Sequence, residues 1–346
     1  MIRPATRALI EEAHRFSAFY RDGFANHLPM ALVALDAMGA DDARIAAFAR
    51  AYEGQLEPIA AADTRIHPGD EATFLGRAAH YPAWVEYFDE RLTREGSKAV
   101  LSAWSAKLSE AIGAAAFHGA IRTAYAVESG VAREFAHALA YWAAAYRAMP
   151  TPAEPHGHES PGQVLAAISA DPEHAGKRPP GGGISARMGT AAKSASFAAY
   201  VGRLDPATLD VDALAAALIR AYAATGDFTL LHGVTGCQAF RVLAPFLPPN
   251  ATRGLWTAIV AAYMSCGSPA ADGWSLQGSD ALPWPEIHRL AAECDDEHDV
   301  KFAYSCWREW QARGAPPTGT GSNVDDLYRR AASARVCHAL AAHEAC

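Results

Sequence analysis

Apolar residues recur along most of the chain with the spacing of an α-helix. Ile45, Phe48 and Tyr52 follow one another at intervals of three and four residues, and residues 135–146 repeat that spacing. Nowhere do β-branched residues alternate with polar ones as they do in a half-buried strand. The pattern therefore predicts an all-α fold, a multi-helix bundle.

One long stretch interrupts the helical pattern. Prolines and glycines concentrate between residues 150 and 189, with a short helical pattern at 164–170. Such composition is typical of a long loop or flap. We therefore divide the chain into an N-terminal helical half (1–149), a Pro/Gly-rich loop (150–189) and a C-terminal helical half (190–346), and expect the halves to share one core.

Composition excludes several classes of protein. The 346 residues carry a formal charge of −8, and 51% of them are hydrophobic. An acidic chain has little affinity for the phosphate backbone, so we expect no nucleic-acid partner. No apolar run is long enough for a membrane span, and residues 1–20 resemble an amphipathic helix rather than a signal peptide. The six cysteines lack metal or disulfide spacing, and we expect a reduced, cytoplasmic protein.

Four of the 14 histidines lie in apolar helical stretches: His27, His118, His232 and His298. A buried imidazole needs a hydrogen-bonding partner or a metal, and helical bundles build metal sites from inward-pointing side chains. Glycine follows both His118 and His232, which favours close approach of a neighbouring helix and suggests similar local geometry at the two histidines. Spacing alone leaves a joint metal site and dispersed core histidines as alternatives.

Lys301 lies one helical turn after His298 and shares its helix face. A lysine ammonium repels a metal, but a desolvated amine loses its proton and can take up carbon dioxide to become a carbamate, an anionic oxygen donor. The alternative is an ordinary ion pair with Glu297 on an exposed face. Asp295, Asp296 and Asp299 are candidate hydrogen-bond acceptors for ligand imidazoles, or simply solvated charges.

Other cofactor motifs are rejected. The glycines at 181–183 fit a dinucleotide-binding pattern, but no strand precedes them. The chain has no flavin fingerprint, no phosphate-binding loop and no H-E-x-x-H motif. A ferritin-like di-iron centre would use the Glu11–His14 pair, which we place on a surface helix.

Four ordered motifs give the chain a resemblance to a known family. They are NHLPM at 26–30, FHGAIR at 117–122, LHGVTG at 231–236 and DEHDVKF at 296–302, and with them the chain resembles the questin oxidase-like family. Fungal members of that family oxidise aromatic polyketides, opening anthraquinone-type rings with a Baeyer–Villiger or dioxygenase outcome. The family's chemistry is tied to non-heme iron held by histidines and a carboxylated lysine. The resemblance implies these ligands here: His27, His118, His232, His298 and Lys301.

We therefore expect a non-heme Fe(II) oxygenase that uses dioxygen on a small aromatic or polyketide-like substrate, with a need for NADPH left open. One alternative is a zinc-dependent hydrolase or lyase on the same site, because zinc also accepts histidine and carbamate ligands. Another is a non-catalytic helical binding protein with core histidines. Arg122 is expected to pair with Glu128. Four aromatic residues are candidate cavity walls or core residues: Phe117, Phe240, Tyr304 and Trp307.

Overall fold

The computed structural model describes residues 2–21, 23–151, 154–270, 281–314 and 323–344. Within them the chain is helical almost throughout, which confirms the predicted all-α fold. The α-helices are α1 (Pro4–Ala13), α2 (Leu28–Ala37), α3 (Asp42–Glu53), α4 (Glu71–Phe74), α5 (Tyr81–Glu95), α6 (Ser97–Leu108), α7 (His118–Ser129), α8 (Ala132–Ala144), α9 (Pro161–Ala170), α10 (Ile184–Ala191), α11 (Phe197–Gly202), α12 (Val211–Thr225), α13 (Phe228–Leu243), α14 (Ala251–Ser265), α15 (Trp284–Glu293), α16 (Glu297–Ala312) and α17 (Asn323–Glu344).

Extended structure in these residues is confined to a small antiparallel hairpin and an isolated bridge. Strand β1 (Phe19–Tyr20) pairs with β2 (Phe24–Ala25) directly before His27. The hairpin therefore leads the chain into the first histidine motif. Across the described ranges, no helix combines the length and apolar character needed to cross a bilayer.

Local sequence explains several helix ends. The Asp41 carboxylate accepts a hydrogen bond from the backbone N–H of Arg44 at 2.7 Å and caps the start of α3. Gly39, with a φ of +87°, follows the end of α2 in a conformation that glycine adopts without strain. Aspartate at a helix start and glycine just past a helix end are residues that these positions favour.

Helices from the two halves of the chain pack on one another around the histidine motifs. Helix α7 packs against α2, α8 and α13, while α16 packs against α2, α13 and α17. Buried apolar residues from both halves form one continuous cluster. The histidine-bearing helices thus lie where the halves meet.

The Pro/Gly-rich segment contains more helix than predicted. The short helix expected at 164–170 is present and begins earlier, at Pro161, because Ser160 and Gln163 form a reciprocal capping box. Its buried face packs against α12 and α14. A second helix, α10, begins at Ile184, where a loop was predicted.

Candidate metal centre

The four histidines meet in what we call the histidine layer: His27, His118, His232 and His298. Ring centroids lie 4.6 Å apart for His27 and His118, 4.7 Å for His27 and His298, and 4.7 Å for His118 and His232. His232 and His298 are 5.6 Å apart and close the group. Residues separated by up to 271 positions therefore share one site.

Carboxylates hold two of the four rings. Nδ1 of His27 lies 2.9 Å from a Glu297 oxygen, and Nδ1 of His298 lies 2.9 Å from an Asp296 oxygen. Asp296 also caps α16 by accepting from the backbone N–H of His298. Carboxylate–histidine pairs of this kind orient metal ligands in proteins.

Backbone carbonyls hold the other two rings. Nδ1 of His118 faces the carbonyl of Ala115 at 2.5 Å, and Nδ1 of His232 faces that of Phe228 at 2.7 Å. Carbonyl and carboxylate oxygens can only accept a hydrogen bond, so in a neutral ring Nδ1 must carry the proton. The lone pair then lies on Nε2 in every neutral ring of the layer.

Those Nε2 atoms are what a metal would use. Nε2 of His27, His118 and His232 is buried and has no hydrogen-bond partner among the described residues. Ligand atoms of His27, His118 and His298 lie within 4.8 Å of one another. Buried lone pairs that converge without a donor fit a divalent transition metal.

Burial also sets the charge of these groups. Desolvation lowers the pKa of His27 and His118 well below the ordinary value and that of His232 to about 3, with the neighbouring charges acting in the same direction. The rings are therefore neutral near pH 7, as metal ligation requires.

Lys301 is buried beside the histidine layer. Its side chain is only 3% exposed, and burial lowers its pKa to about 8. Its charge acts on the pKa values of His27, His118 and His232. The alternative of an exposed ion pair between Lys301 and Glu297 is therefore wrong, and the Glu297 carboxylate is bonded to His27 instead.

The segment before His118 is held in an unusual conformation. Ala115, Ala116 and Phe117 have φ angles of 49°, 54° and 69°, in the left-handed region that L-residues avoid. His118 then begins α7, whereas His232 is the fifth residue of α13. The predicted similarity of local geometry at the two histidines is therefore wrong. Strained backbone of this kind clusters at functional sites.

An exposed aromatic ring covers one edge of the histidine layer. Phe228 is 43% exposed, and its ring centroid lies 4.7 Å from that of His232 and 4.6 Å from that of His298. A separate cavity of about 400 Å³, lined by residues 201–207 and 249–253 among others, includes none of the five predicted ligands. Phe228 therefore lies both at the surface and against two rings of the layer.

Arg122 does not pair with Glu128 as expected. It forms a two-point ion pair with Glu134 at 2.7 and 3.1 Å, both side chains being almost fully buried. Arg122 and Glu128 are six residues apart, which places them on different faces of α7 and next to different neighbours. Glu134 also bonds to His14 at 3.0 Å. His14 is buried while Glu11 is exposed on α1, so the predicted surface placement of this pair holds for Glu11 and is wrong for His14.

Glu128 belongs instead to a group at the far end of α7. It accepts a hydrogen bond from the Tyr304 hydroxyl at 2.9 Å and pairs with Arg308. Tyr304 was a candidate cavity wall, and its hydroxyl is engaged in this group.

Sequence reasoning missed the role of Glu297. Glu297 bonds to the ring of His27, 270 residues away, and the same oxygen lies 3.5 Å from Nδ1 of His298. Tyr52 donates to the same Glu297 oxygen at 3.3 Å. No local pattern could reveal these contacts, because they join three separate helical motifs.

Comparison with known families identifies the family of this chain. Residues 24–306 match the questin oxidase-like family. The chain belongs to that family. The matched range contains all four histidines of the layer and Lys301, and membership suggests an oxidoreductase. A search of curated proteins found no match to the chain.

Proposed function

We propose that this protein is a non-heme Fe(II) oxygenase that oxidises or cleaves an aromatic, polyketide-like ring with dioxygen. The observation that carries the proposal is the set of buried, unpartnered Nε2 atoms of His27, His118 and His232. Family membership supports the same reading, since the family is named for an oxidase.

In this proposal the histidine layer holds the metal and Lys301 balances its charge. Four neutral imidazoles leave the positive charge of a divalent ion uncompensated in a low-dielectric interior. An anionic donor is therefore expected nearby. The neutral Lys301 amine attacks the carbon of carbon dioxide, forms an N–C bond and releases one proton, which leaves a carbamate anion. The bound iron would activate dioxygen or polarise the substrate.

The remaining residues orient the ligand rings and let the substrate approach the metal. Glu297 and Asp296 fix the rings of His27 and His298 through Nδ1 and keep each Nε2 free for the metal. Phe228 offers the face or edge of its ring to an aromatic substrate that approaches the layer from solvent. We infer that the substrate is a small aromatic molecule for this reason.

Metal analysis distinguishes this proposal from its alternatives. Purified protein, loaded anaerobically with Fe(II), should retain one iron per chain. His118→Ala should lose the metal while helicity stays largely intact. Zinc as the retained metal would favour a hydrolase or lyase, and retention of no metal would favour a helical binding protein.

Oxygen consumption tests the activity itself. The iron-loaded protein should consume dioxygen with anthraquinone-type phenols, with and without NADPH. Lys301→Arg keeps a positive charge but cannot form the carbamate, so it should abolish consumption. Lys98→Arg, on an exposed part of α6, is the matched control and should leave it unchanged. Full activity in Lys301→Arg would contradict the carbamate.

A further inference from the structure

Helix α13 packs against both α7 and α16, and each of the three helices carries a histidine of the layer near its N-terminal end. At one end lie His118, His232 and His298. Further along, the rings of Tyr125 and Tyr304 lie 5.6 Å apart, which keeps α7 and α16 in register. Arg241 and Glu309 form an ion pair at 2.9 Å and keep α13 and α16 in register as well.

This register places three buried polar side chains at one level: Tyr125, Gln238 and Ser305. We call them the polar layer. They follow the histidines of their own helices by seven, six and seven residues, which corresponds to about 9–10.5 Å along the helices. Their exposures are 2%, 2% and 0%. Lys301 lies between the two layers on α16.

The polar layer is unsatisfied. The Tyr125 hydroxyl, the Ser305 hydroxyl and both amide atoms of Gln238 have no hydrogen-bond partner among the described residues. Ser305 lies close enough to Tyr125 to lower the pKa of the phenol, although burial outweighs this and raises that pKa. Each buried polar group without a partner costs about 1–3 kcal/mol. Four such atoms at one level indicate a site for small polar molecules, and water is the smallest.

Beyond the polar layer, Glu128 leads to the surface. One of its oxygens accepts from Tyr304, and the other is buried without a described partner. Its neighbour Arg308 is 36% exposed on its side chain. A carboxylate that is partly exposed and has one buried, unpartnered oxygen is suited to exchange protons between solvent and the polar layer.

We propose that Tyr125, Gln238 and Ser305 hold ordered water that conducts protons between solvent at Glu128 and the histidine layer. A proton taken up by Glu128 passes to the ordered water. Each hydroxyl or water along the path then accepts one proton and releases another, so the polar layer and its water end in their original protonation state. The final acceptor is the anionic oxygen that forms on the product. That last step rests on the proposed oxygenase function, whereas the water site does not.

A high-resolution crystal structure of the whole chain tests the water site without any assay of activity. We expect ordered water within hydrogen-bond distance of at least two of the three side chains. A dry layer, with the polar atoms bonded to one another or to none, would overturn the proposal. This result stands whether or not the protein is an oxygenase.

Kinetics of the iron-loaded protein test conduction. Ser305→Ala and Gln238→Leu remove the polar atoms with little change of shape. Turnover should fall by about tenfold or more, with a larger solvent deuterium isotope effect on kcat and unchanged iron content. Tyr125→Phe is the substitute if either variant fails to fold.

The matched control is Ser105→Ala in α6. Ser105 is also 0% exposed, with an unpartnered hydroxyl, but it lies outside the three helices. It should keep the parent's turnover and isotope effect. Wild-type kinetics in Ser305→Ala and Gln238→Leu would refute conduction even where water is present. A parent that consumes no dioxygen would refute the proposed function and leave the diffraction test to decide the water site.

Discussion

Gly119 and Gly233 each follow a histidine of the layer, but the structure predicts opposite effects for their replacement by alanine. A Cβ on Gly119 would lie 2.7 Å from ring atoms of Trp142 and 2.9 Å from its Cα. A Cβ on Gly233 would meet only the flexible end of Leu218, at 3.4 Å, and that of Ile259, at 3.7 Å. Close helix approach was predicted at both glycines, and the structure requires it at Gly119.

The expected energies follow from these distances. Alanine in place of glycine in a helix interior stabilises by about 1 kcal/mol. Gly233 lies well inside α13, so Gly233→Ala should gain about 0.5–1 kcal/mol. Gly119 is only the second residue of α7, where the gain is smaller, and overpacking against a buried tryptophan and its backbone costs about 1–3 kcal/mol. Gly119→Ala should therefore destabilise by about 1–2 kcal/mol.

Urea denaturation of metal-free protein, followed by circular dichroism, measures this difference. The midpoints of the two variants should move in opposite directions from that of the parent, with similar slopes. Because His118 precedes Gly119, the Gly119→Ala variant should also bind iron more weakly. Equal shifts in the two variants, or a stabilised Gly119→Ala, would refute the reasoning about helix contact.

Three further predictions concern charges. Glu134→Gln leaves Arg122 buried without its anion, so the free energy of unfolding should fall by about 3 kcal/mol in denaturant titrations; an unchanged value would show that the pair contributes nothing. Glu297→Gln should weaken Fe(II) binding about 10–100-fold in anaerobic titration, while the exposed control Glu293→Gln binds like the parent; equal affinities in both variants would rule out an orienting carboxylate. In metal-free protein the pKa of His232 is about 3 against an ordinary 6.5, so the unfolded chain takes up a proton as pH falls below 6.5 and stability decreases. His232→Gln should therefore lessen that dependence by about 1.4 kcal/mol per pH unit between about pH 6 and 4, and an unaltered slope would contradict the buried neutral ring.

Local sequence determined much of the fold. The three- and four-residue spacing of Ile45, Phe48 and Tyr52 predicts the buried face of α3, and all three are buried. Helix ends marked by capping residues, such as Asp41, were also predictable. In the Pro/Gly-rich loop the sequence pattern predicts less helix than the structure contains. Helix α10 was missed because it begins at Ile184 without a side-chain cap.

Part of the candidate site could likewise be predicted from the sequence, and part could not. The histidines were identifiable because polar rings in apolar helices need a partner, and the family motifs selected the same residues. The carboxylate partners of the His27 ring and of the Arg122 guanidinium were not identifiable, since Glu297 and Glu134 meet them only through tertiary packing. Contacts between helices depend on rotation and register, which residue spacing along one helix does not contain.

We propose above that the histidine layer binds one iron ion, with Lys301 beside it. Anomalous diffraction at the iron absorption edge, from crystals of protein loaded anaerobically with Fe(II) in the presence of bicarbonate, tests this most directly. We expect a single anomalous peak within bonding distance of Nε2 of His27, His118, His232 and His298, with carbamate density on Lys301. A peak elsewhere in the molecule, no peak in the layer, or a bare Lys301 amine that points away from the metal would contradict it.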